Sequence, residues 1–217
     1  MGERFAEIDL TIDVTSRERR FIDDYIIRFV DIVGAFFGLT ILAPILPLIA
    51  FFIRLDSPGL PIFRQKRAGK DGVPFEIYKF RTMCDGADKL PQGFRNRDEP
   101  VVKIEDDRRV TRLGDFLRRY SIDELPQLIN ILRGDMSLVG PRPCVLAEVD
   151  AYNQFHRQRL AGKPGLTGLA QISGRSDLDF DSIVRYDVYY NRNHSPSLYL
   201  KILFKTIPYC LSCKSSY

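Results

Sequence analysis

The sequence predicts an α+β fold: a mainly helical domain at a membrane surface, with a re-entrant, proline-broken membrane helix and a small β-hairpin. Residues 32–53 form an apolar run without a single charged residue. Two short β-rich segments bounded by Gly and Pro, 57–67 and 72–83, follow this run and are typical of a hairpin. In the rest of the chain, apolar residues recur mainly at helical spacing.

Composition restricts the class of protein. Of 217 residues, 45% are hydrophobic and 28% are charged, which excludes intrinsic disorder, collagen-like repeats and a disulfide-stapled miniprotein. The length suits one integrated domain with two parts. We expect residues 1–58 to form an amphipathic lead-in and the membrane helix, and 59–217 to form a cytoplasmic domain with interfacial helices. The net charge of +4 is too small to indicate nucleic acid, and no such partner is expected.

Cysteine and histidine usage excludes some kinds of site. The four cysteines are Cys84, Cys144, Cys210 and Cys213. Their spacing matches no disulfide framework, which favours a reducing compartment. Cys210 and Cys213 form a single CxxC, only half of the ligand set of a zinc ribbon, and we assign it no role. The two histidines, His156 and His194, lie far apart in the sequence, which argues against His metal sites and Ser/His/Asp triads.

Two prolines interrupt the apolar run. As a straight helix, 32–53 would be about 33 Å long, enough to span a bilayer. Pro44 and Pro47 each remove a backbone donor, and Thr40, one turn upstream, is a candidate polar partner for the freed carbonyls. Basic residues flank both sides: Arg17, Arg19, Arg20 and Arg28, then Arg54, Arg64, Lys66, Arg67 and Lys70. Because a single crossing normally has one basic side, a helix that enters and returns by the same face fits best. A kinked single span and a hairpin buried in a soluble core are the alternatives.

Further elements follow from the periodicity of apolar residues. The predicted helices lie at 110–120, 123–134, 145–160 and 177–193. Gly134 is a natural residue to end the second of these helices. The remaining segments are a polar loop at 84–107, a stretch at 137–143 that cannot continue a helix, and a glycine-punctuated loop or strand at 163–175. Residues 198–207 suit either an interfacial helix or an ordinary core helix.

An acidic pair, Asp123 and Glu124, follows the arginine-rich helix at 110–120. The simplest interpretation is helix capping. Ser121 and Glu124 fit a capping box, and Asp123 could itself be an N-cap. The surrounding sequence favours a functional interpretation, because several segments bring cations and glycines.

Lys79 and Arg81 occupy alternate strand positions and hence one predicted face. Arg142 is held between two prolines. Gly165, Gly168 and Gly174 would allow backbone amides to approach a phosphate closely. Cations together with two carboxylates that can hold a divalent ion suit phosphoryl transfer, which depends mainly on positioning and charge neutralisation.

Five motifs in order make the chain resemble one known family. They are YKFRTM (78–83), TRxGxxLR (111–118), SxDELPQ (121–127), GDMSLVGPRP (134–143) and KPGLTGxxQxSGR (163–175). Together with the proline-broken helix they resemble the bacterial sugar transferases, the monotopic phosphoglycosyl transferases, over about residues 20–207. The family's membrane anchor is re-entrant, and the length implies its small form, the catalytic core alone.

The resemblance implies a reaction and a location. The enzyme would transfer sugar-1-phosphate from a UDP-sugar to polyprenyl (undecaprenyl) phosphate through a covalent aspartyl intermediate, releasing UMP. This is the first membrane step of bacterial glycoconjugate synthesis, at the cytoplasmic face of the inner membrane. Partners would be the UDP-sugar, the polyprenyl phosphate and the lipid bilayer.

The resemblance also implies roles for particular residues. Asp123 would be the nucleophile and Glu124 its support, and the two would hold Mg²⁺, with Mn²⁺ tolerated. The residues implied to bind phosphate are Lys79, Arg81, Arg118, Arg142 and Arg175. No role follows for the insert at 92–100 or for Cys144, and no particular sugar, pathway or oligomeric state is implied.

Two other function classes are compatible with the residues. A membrane-tethered scaffold could bind polyanions through its arginines, but it would not need carboxylates inside a cationic site. A nucleotide-sugar hydrolase or phosphatase could use the same aspartate, and hydrolysis of a UDP-sugar without a lipid acceptor distinguishes it from a transferase.

Overall fold

The computed structural model describes residues 21–87, 107–174 and 178–211. The helices are α1 Phe21–Leu42, α2 Ile45–Asp56, α3 Arg112–Arg119, α4 Gln127–Arg133, α5 Leu146–Val149, α6 Gln154–Arg157, α7 Leu169–Ser173, α8 Phe180–Arg192 and α9 Pro196–Leu211. The strands are β1 Ile62–Ala68, β2 Pro74–Phe80, β3 Ser137–Val139, β4 Cys144–Val145 and β5 Gly165–Thr167. The mixed, helix-rich architecture confirms the predicted α+β class in this part of the chain.

The predicted proline break separates α1 from α2. Pro44 directly precedes α2 and Pro47 lies in its first turn, where a missing amide donor leaves no helical hydrogen bond unmade. We expected Thr40 to donate to a carbonyl freed by the prolines. Its hydroxyl instead donates to the carbonyl oxygen of Phe36 at 2.9 Å, one turn before Thr40 in α1. In the described part of the chain, only α1, over Ile22–Leu42, is long and apolar enough to cross a membrane, judged by length and composition.

Both arms of this broken helix pack on the same domain. The buried side of α1, with Ile27, Asp31 and Ala35, faces α4, β3 and α9. The buried Ile53 of α2 joins Phe80 and Leu117 in a second cluster, against β2 and α3. The other side of each arm carries exposed aromatic residues: Phe29, Phe36 and Phe37 on α1, and Phe51 and Phe52 on α2. The alternative of a hairpin buried in a soluble core is therefore wrong.

A buried carboxylate fixes α1 to the domain. Asp31 accepts hydrogen bonds from the Ser137 hydroxyl at 2.9 Å, the Leu138 amide at 2.7 Å and the Tyr199 hydroxyl at 2.6 Å. These three donors satisfy a charge that would otherwise be costly to bury. They link α1 to β3 and to α9.

The predicted hairpin is present as β1 and β2, paired antiparallel from Ile62 opposite Phe80 to Ala68 opposite Pro74. The strand β4 pairs with the other edge of β1 and completes a three-stranded sheet. A separate parallel pair, β3 and β5, aligns Ser137 with Gly165. Segment 163–175 thus contains a strand, but α7 occupies its second half.

The main core lies between α1, α4, β3 and α9. Its most buried side chains are Ile131, Met136, Tyr199 and Ile202. Full burial of apolar side chains of this size contributes roughly 1.5–3 kcal/mol each. This core fixes α4 and the β3 strand, which follow the acidic pair in the sequence.

Two helix predictions need correction. The segment 123–134 is not one helix, because a 3₁₀ turn at Ile122–Glu124 precedes α4, and Pro126, which has no amide donor, lies at the junction. Gly134 ends α4 with φ 91°, as predicted. The segment 145–160 contains the short helices α5 and α6 and a 3₁₀ turn in place of a continuous helix.

Candidate active site

The acidic pair lies in the 3₁₀ turn between α3 and α4. Ser121, which starts this turn, has φ 56°, a left-handed conformation that is uncommon for a residue with a side chain. Ser121 makes no side-chain capping hydrogen bond, and Pro126 precedes the first residue of α4. The capping interpretation of Ser121 and Asp123 is therefore wrong, and the pair needs another explanation.

Glu124 joins two cations from distant parts of the chain. Its Oε1 accepts from Lys79 Nζ at 2.7 Å and lies 3.4 Å from Arg142 Nη1. The side chains of Lys79 and Glu124 are only 18% and 14% exposed, so solvent screens this contact less than a surface ion pair. The strand β2, the acidic turn and the loop after β3 therefore meet at one carboxylate.

Asp123 is buried beside this cluster. The pKa of its carboxyl is raised from 3.8 to about 6, and burial is the largest cause of this increase. Lys79, Arg118 and Arg142 lower this pKa, whereas the neighbouring Glu124 raises it. A carboxylate with a perturbed pKa among cations is a typical functional-site feature.

Arg118 approaches the acidic pair from the end of α3. Its Nε donates to the Thr82 hydroxyl at 2.8 Å, and burial lowers the pKa of its guanidinium, while Asp123 acts in the opposite direction. Sequence reasoning missed Thr82, although it belongs to the YKFRTM motif. The structure thus brings together Lys79, Arg118 and Arg142, three of the predicted phosphate-binding residues.

Arg81 does not join them. Its guanidinium donates to the carbonyl oxygens of Ser57 at 2.6 Å, Pro58 at 2.8 Å and Ile53 at 3.4 Å. The prediction assumed that side chains alternate between the two faces of the strand up to Arg81. Because β2 ends at Phe80, Arg81 lies outside the strand and does not share the face of Lys79. Arg81 stabilises the C-terminal end of α2, and the structure does not bring it together with Lys79, Arg118 and Arg142.

The glycines of the 163–175 motif have mainly a packing role. The Gly165 amide donates to the Pro141 carbonyl oxygen at 2.8 Å, and the Gly140 amide donates to Thr167 at the same distance. A Cβ at Gly165 or Gly168 would collide with the Gly140 backbone. These glycines allow two loops to cross closely and so hold the Arg142 loop. Gly174 ends α7 with φ 156°.

A further cation, Arg67, was missed. Its Nη1 donates to the Pro143 carbonyl oxygen at 3.2 Å, next to Arg142. The hairpin register contains the signal that could have revealed it. Phe63 is opposite Lys79, and Arg67 lies four positions further along β1, hence on the same face as Lys79.

The acidic pair could hold a divalent cation only with help from other ligands. Among the residues that the structure describes, no group of three or more His, Cys, Asp or Glu side chains could hold a metal. Two carboxylates nevertheless fit Mg²⁺, which commonly binds through one or two carboxylates plus substrate phosphates and water. Glu124 Oε1 is already shared by two cations, so a metal would compete with them for that atom.

Some predicted features lie outside the described residues. They are Arg175, the insert at 92–100 and Cys213 of the CxxC pair.

The comparisons with known proteins identify the family. The model of the bacterial sugar transferase family matches residues 22–213. The chain therefore belongs to the bacterial sugar transferase family.

Three relatives illustrate the similarity. The galactosyl transferase CpsE of Streptococcus agalactiae is 44% identical over 184 residues, which cover 83% of this chain and 41% of the relative. The UDP-glucose:undecaprenyl-phosphate glucose-1-phosphate transferase of Caulobacter vibrioides is 43% identical, over 88% of this chain and 71% of the relative. The exopolysaccharide production protein ExoY of Rhizobium meliloti is 40% identical, over 88% of this chain and 87% of the relative.

Coverage differs between the relatives. The chain spans less than half of CpsE and 47% of a UDP-galactose-lipid carrier transferase from Erwinia amylovora.

Proposed function

We propose that the protein is a phosphoglycosyl transferase that moves sugar-1-phosphate from a UDP-sugar to undecaprenyl phosphate, with Asp123 as a covalent nucleophile. The single observation that supports this most is the buried Asp123 beside the contact that joins Lys79, Glu124 and Arg142. The names of the Caulobacter and Erwinia relatives, a glucose-1-phosphate transferase and a UDP-galactose-lipid carrier transferase, agree with such a reaction.

The chemistry follows from a carboxylate enclosed by cations. In the first half-reaction, an oxygen of Asp123 forms a bond to the β-phosphorus, the bond from that phosphorus to the bridging oxygen breaks, and UMP leaves with the electron pair. The acyl phosphate keeps much of the energy of the broken anhydride. In the second half-reaction, an oxygen of polyprenyl phosphate attacks the same phosphorus, and the Asp123 carboxylate is released.

The cations have separate tasks in this scheme. Lys79, on the β2 strand, is held by Glu124. Arg142 also contacts Glu124 and lies in a loop with a proline on both sides of it. Both are pre-positioned to neutralise charge on the transferred phosphoryl group, which is the main contribution an enzyme makes to phosphoryl transfer. Arg118, held by Thr82, would balance the charge of Asp123 when it is ionised. A bound Mg²⁺ would supply further neutralisation of the phosphate oxygens.

The broken helix supports the proposal that this site lies at a membrane surface. Because both arms pack on one domain and their aromatic sides are exposed, α1 and α2 suit a hairpin that enters and leaves the bilayer by one face. Exposed Phe204 and Ile207 place apolar surface on α9 as well. The phosphate of a polyprenyl lipid would then lie at the depth of the headgroups, with the catalytic domain on the cytoplasmic side.

The decisive experiment is mass spectrometry of the purified protein after incubation with a UDP-sugar alone. We expect a sugar-phosphate adduct on the peptide that contains Asp123 and release of one UMP per adduct. The adduct should disappear when polyprenyl phosphate is added, and Asp123→Asn should prevent its formation. A panel of UDP-sugars would identify the donor.

Two results would contradict the proposal. Continuous release of UMP without a lipid acceptor would indicate a nucleotide-sugar hydrolase. Retained turnover by Asp123→Asn would remove Asp123 from the reaction. Intact membrane association and circular dichroism of the variant are the controls, since Asn and Asp have nearly the same size.

A further inference from the structure

Arg67 is a charged side chain near the acidic pair, and neither the motifs nor the proposed mechanism uses it. It lies on β1, the central strand of its sheet, between Phe75 on β2 and Val145 on β4. Pairing on both sides fixes its backbone. Residues directly opposite one another share a face of the sheet, so Arg67 lies on the same face as Phe75 and Val145. That face also presents Lys79.

The hydrogen bonds of Arg67 are incomplete. A guanidinium has five N–H donors. Nη1 donates to the Pro143 carbonyl oxygen at 3.2 Å, whereas Nε is buried and has no hydrogen-bond partner among the described residues. In the same part of the chain, no carboxylate lies within ion-pair distance of Arg67. A partly buried cation with one neutral acceptor is an expensive arrangement unless another anion binds.

The neighbouring charges show where that anion would be. Burial lowers the pKa of Arg67 most, and Arg142 lowers it next, so two guanidinium groups lie close enough to repel each other. Glu148, Cys144 and Glu124 raise the pKa of Arg67 from a greater distance than an ion pair. Two guanidinium groups beside one loop, of which only Arg142 contacts a carboxylate among the described residues, form a typical binding site for a phosphate group.

We propose that Arg67 is a phosphate-binding residue of this site, which together with Arg142 takes a phosphate group of a substrate. The inference rests on the proposed function. Both substrates of that reaction carry phosphate: the UDP-sugar and the polyprenyl phosphate. With Arg81 engaged at the end of α2, Arg67 supplies the second guanidinium beside Arg142.

The two half-reactions separate the two sources of phosphate. The rate of adduct formation with UDP-sugar alone reports the first substrate, and kcat/KM for polyprenyl phosphate reports the second. Equilibrium binding of UMP adds a readout that needs no turnover. The variants are Arg67→Met and Arg67→Lys, and the matched control is Arg64→Met, an exposed position on the opposite face of the same strand.

We expect Arg67→Met to lower one of the two half-reaction rates by roughly ten- to hundredfold, with Arg67→Lys recovering part of the loss. Weaker UMP binding would assign Arg67 to the nucleotide. Unchanged UMP binding with a reduced kcat/KM for polyprenyl phosphate would assign it to the lipid. Arg64→Met should leave every readout within about threefold of wild type, since exposed ion pairs contribute little.

Two outcomes overturn the inference. Arg67→Met could leave both half-reactions and UMP binding unchanged. Alternatively, both rates could fall together with the melting temperature, without rescue by Lys, which would make Arg67 a purely structural residue. If wild type itself forms no adduct and binds no UMP, the proposed function fails, and that result is separate from any comparison among the variants.

Discussion

At the scale of single residues, the raised pKa of the buried Asp123 carboxyl affects both the stability of the fold and the pH dependence of the proposed reaction. Its pKa of about 6 in the folded state lies above the ordinary value of 3.8. Between these two values the folded protein holds a proton that the unfolded chain has released. Stability therefore falls as the pH rises through this window, and the loss persists at neutral pH.

Asp123→Asn should therefore stabilise the protein while abolishing activity. The expected gain is about 1–3 kcal/mol near neutral pH, and it should vanish below the ordinary pKa of aspartate. Thermal unfolding followed by far-UV circular dichroism at several pH values measures it. Asp187 also has a raised pKa, but it is present in both proteins and cancels in the difference. A variant less stable than wild type at neutral pH would contradict the assignment.

The same carboxyl should control the pH dependence of the reaction. Only the ionised form of Asp123 is a nucleophile, so kcat/KM for the UDP-sugar should fall on the acid side, with its midpoint near pH 6. A profile that stays flat well below this midpoint would indicate a different nucleophile.

Arg142→Lys tests the geometry of the cation that meets Glu124. A guanidinium fixed by flanking prolines can contact a phosphate with two parallel donors, which an ammonium cannot do. We expect a loss of roughly 2–3 kcal/mol in transition-state stabilisation, or about a hundredfold in kcat/KM. Near-normal kinetics in the Lys variant would leave Arg142 with a structural role only.

At the scale of secondary-structure elements, Arg81 links the end of α2 to the end of β2. Because three backbone carbonyls accept from its guanidinium, Arg81→Met should destabilise the fold by about 2–3 kcal/mol. The KM for the UDP-sugar should change by less than about threefold, since the group makes no contact with the acidic pair. Arg119→Met, which removes an exposed ion pair with Asp115, is the matched control. A raised KM with unchanged stability would restore the phosphate-binding assignment.

The break between α1 and α2 supports a prediction about topology. In the hairpin we propose, positions 2 and 215 face the same side of the membrane. Replacing Pro44 and Pro47 by Ala removes an interior-proline penalty of about 3 kcal/mol each from a continuous helix, so the segment should straighten toward a span. Cysteine labelling of spheroplasts with an impermeant reagent should miss both positions in wild type and reach one in the variant. Labelling of one end in wild type would contradict the hairpin.

Elements that depend on local pattern could be predicted, and elements that depend on distant partners could not. The β-hairpin of β1 and β2, the break at Pro44 and the end of α4 at Gly134 follow from turn residues and proline chemistry. The parallel pairing of β3 with β5 joins segments that are distant in sequence and carry no shared local signal. The motifs predicted that Asp123, Lys79 and Arg142 lie close together, but they did not predict the contacts of Arg81 with the end of α2 or the position of Arg67 next to Arg142.

At the scale of the whole molecule, the Mg²⁺ dependence that the family resemblance implies is a prediction that can be tested directly. If the proposed substrates bind here, two carboxylates and the substrate phosphates would offer oxygen ligands, which suit a hard ion such as Mg²⁺. Activity should be lost in excess chelator and should return with Mg²⁺. Full activity in chelator would leave the cations as the sole charge stabilisers and would remove the metal from Asp123 and Glu124.

The hydrogen bond between Asp31 and Tyr199 has a consequence for the order of biosynthesis. Its two partners are 168 positions apart in the chain. At a synthesis rate of roughly 5–20 residues per second, Asp31 emerges from the ribosome about ten to thirty seconds before Tyr199. During that interval Asp31 can have its donors from β3 but lacks the donor from α9, and an incompletely hydrogen-bonded buried carboxylate is unfavourable. In the membrane hairpin that we propose, α1 would reach its final depth only after α9 has been synthesised and has supplied the last of the three donors to Asp31.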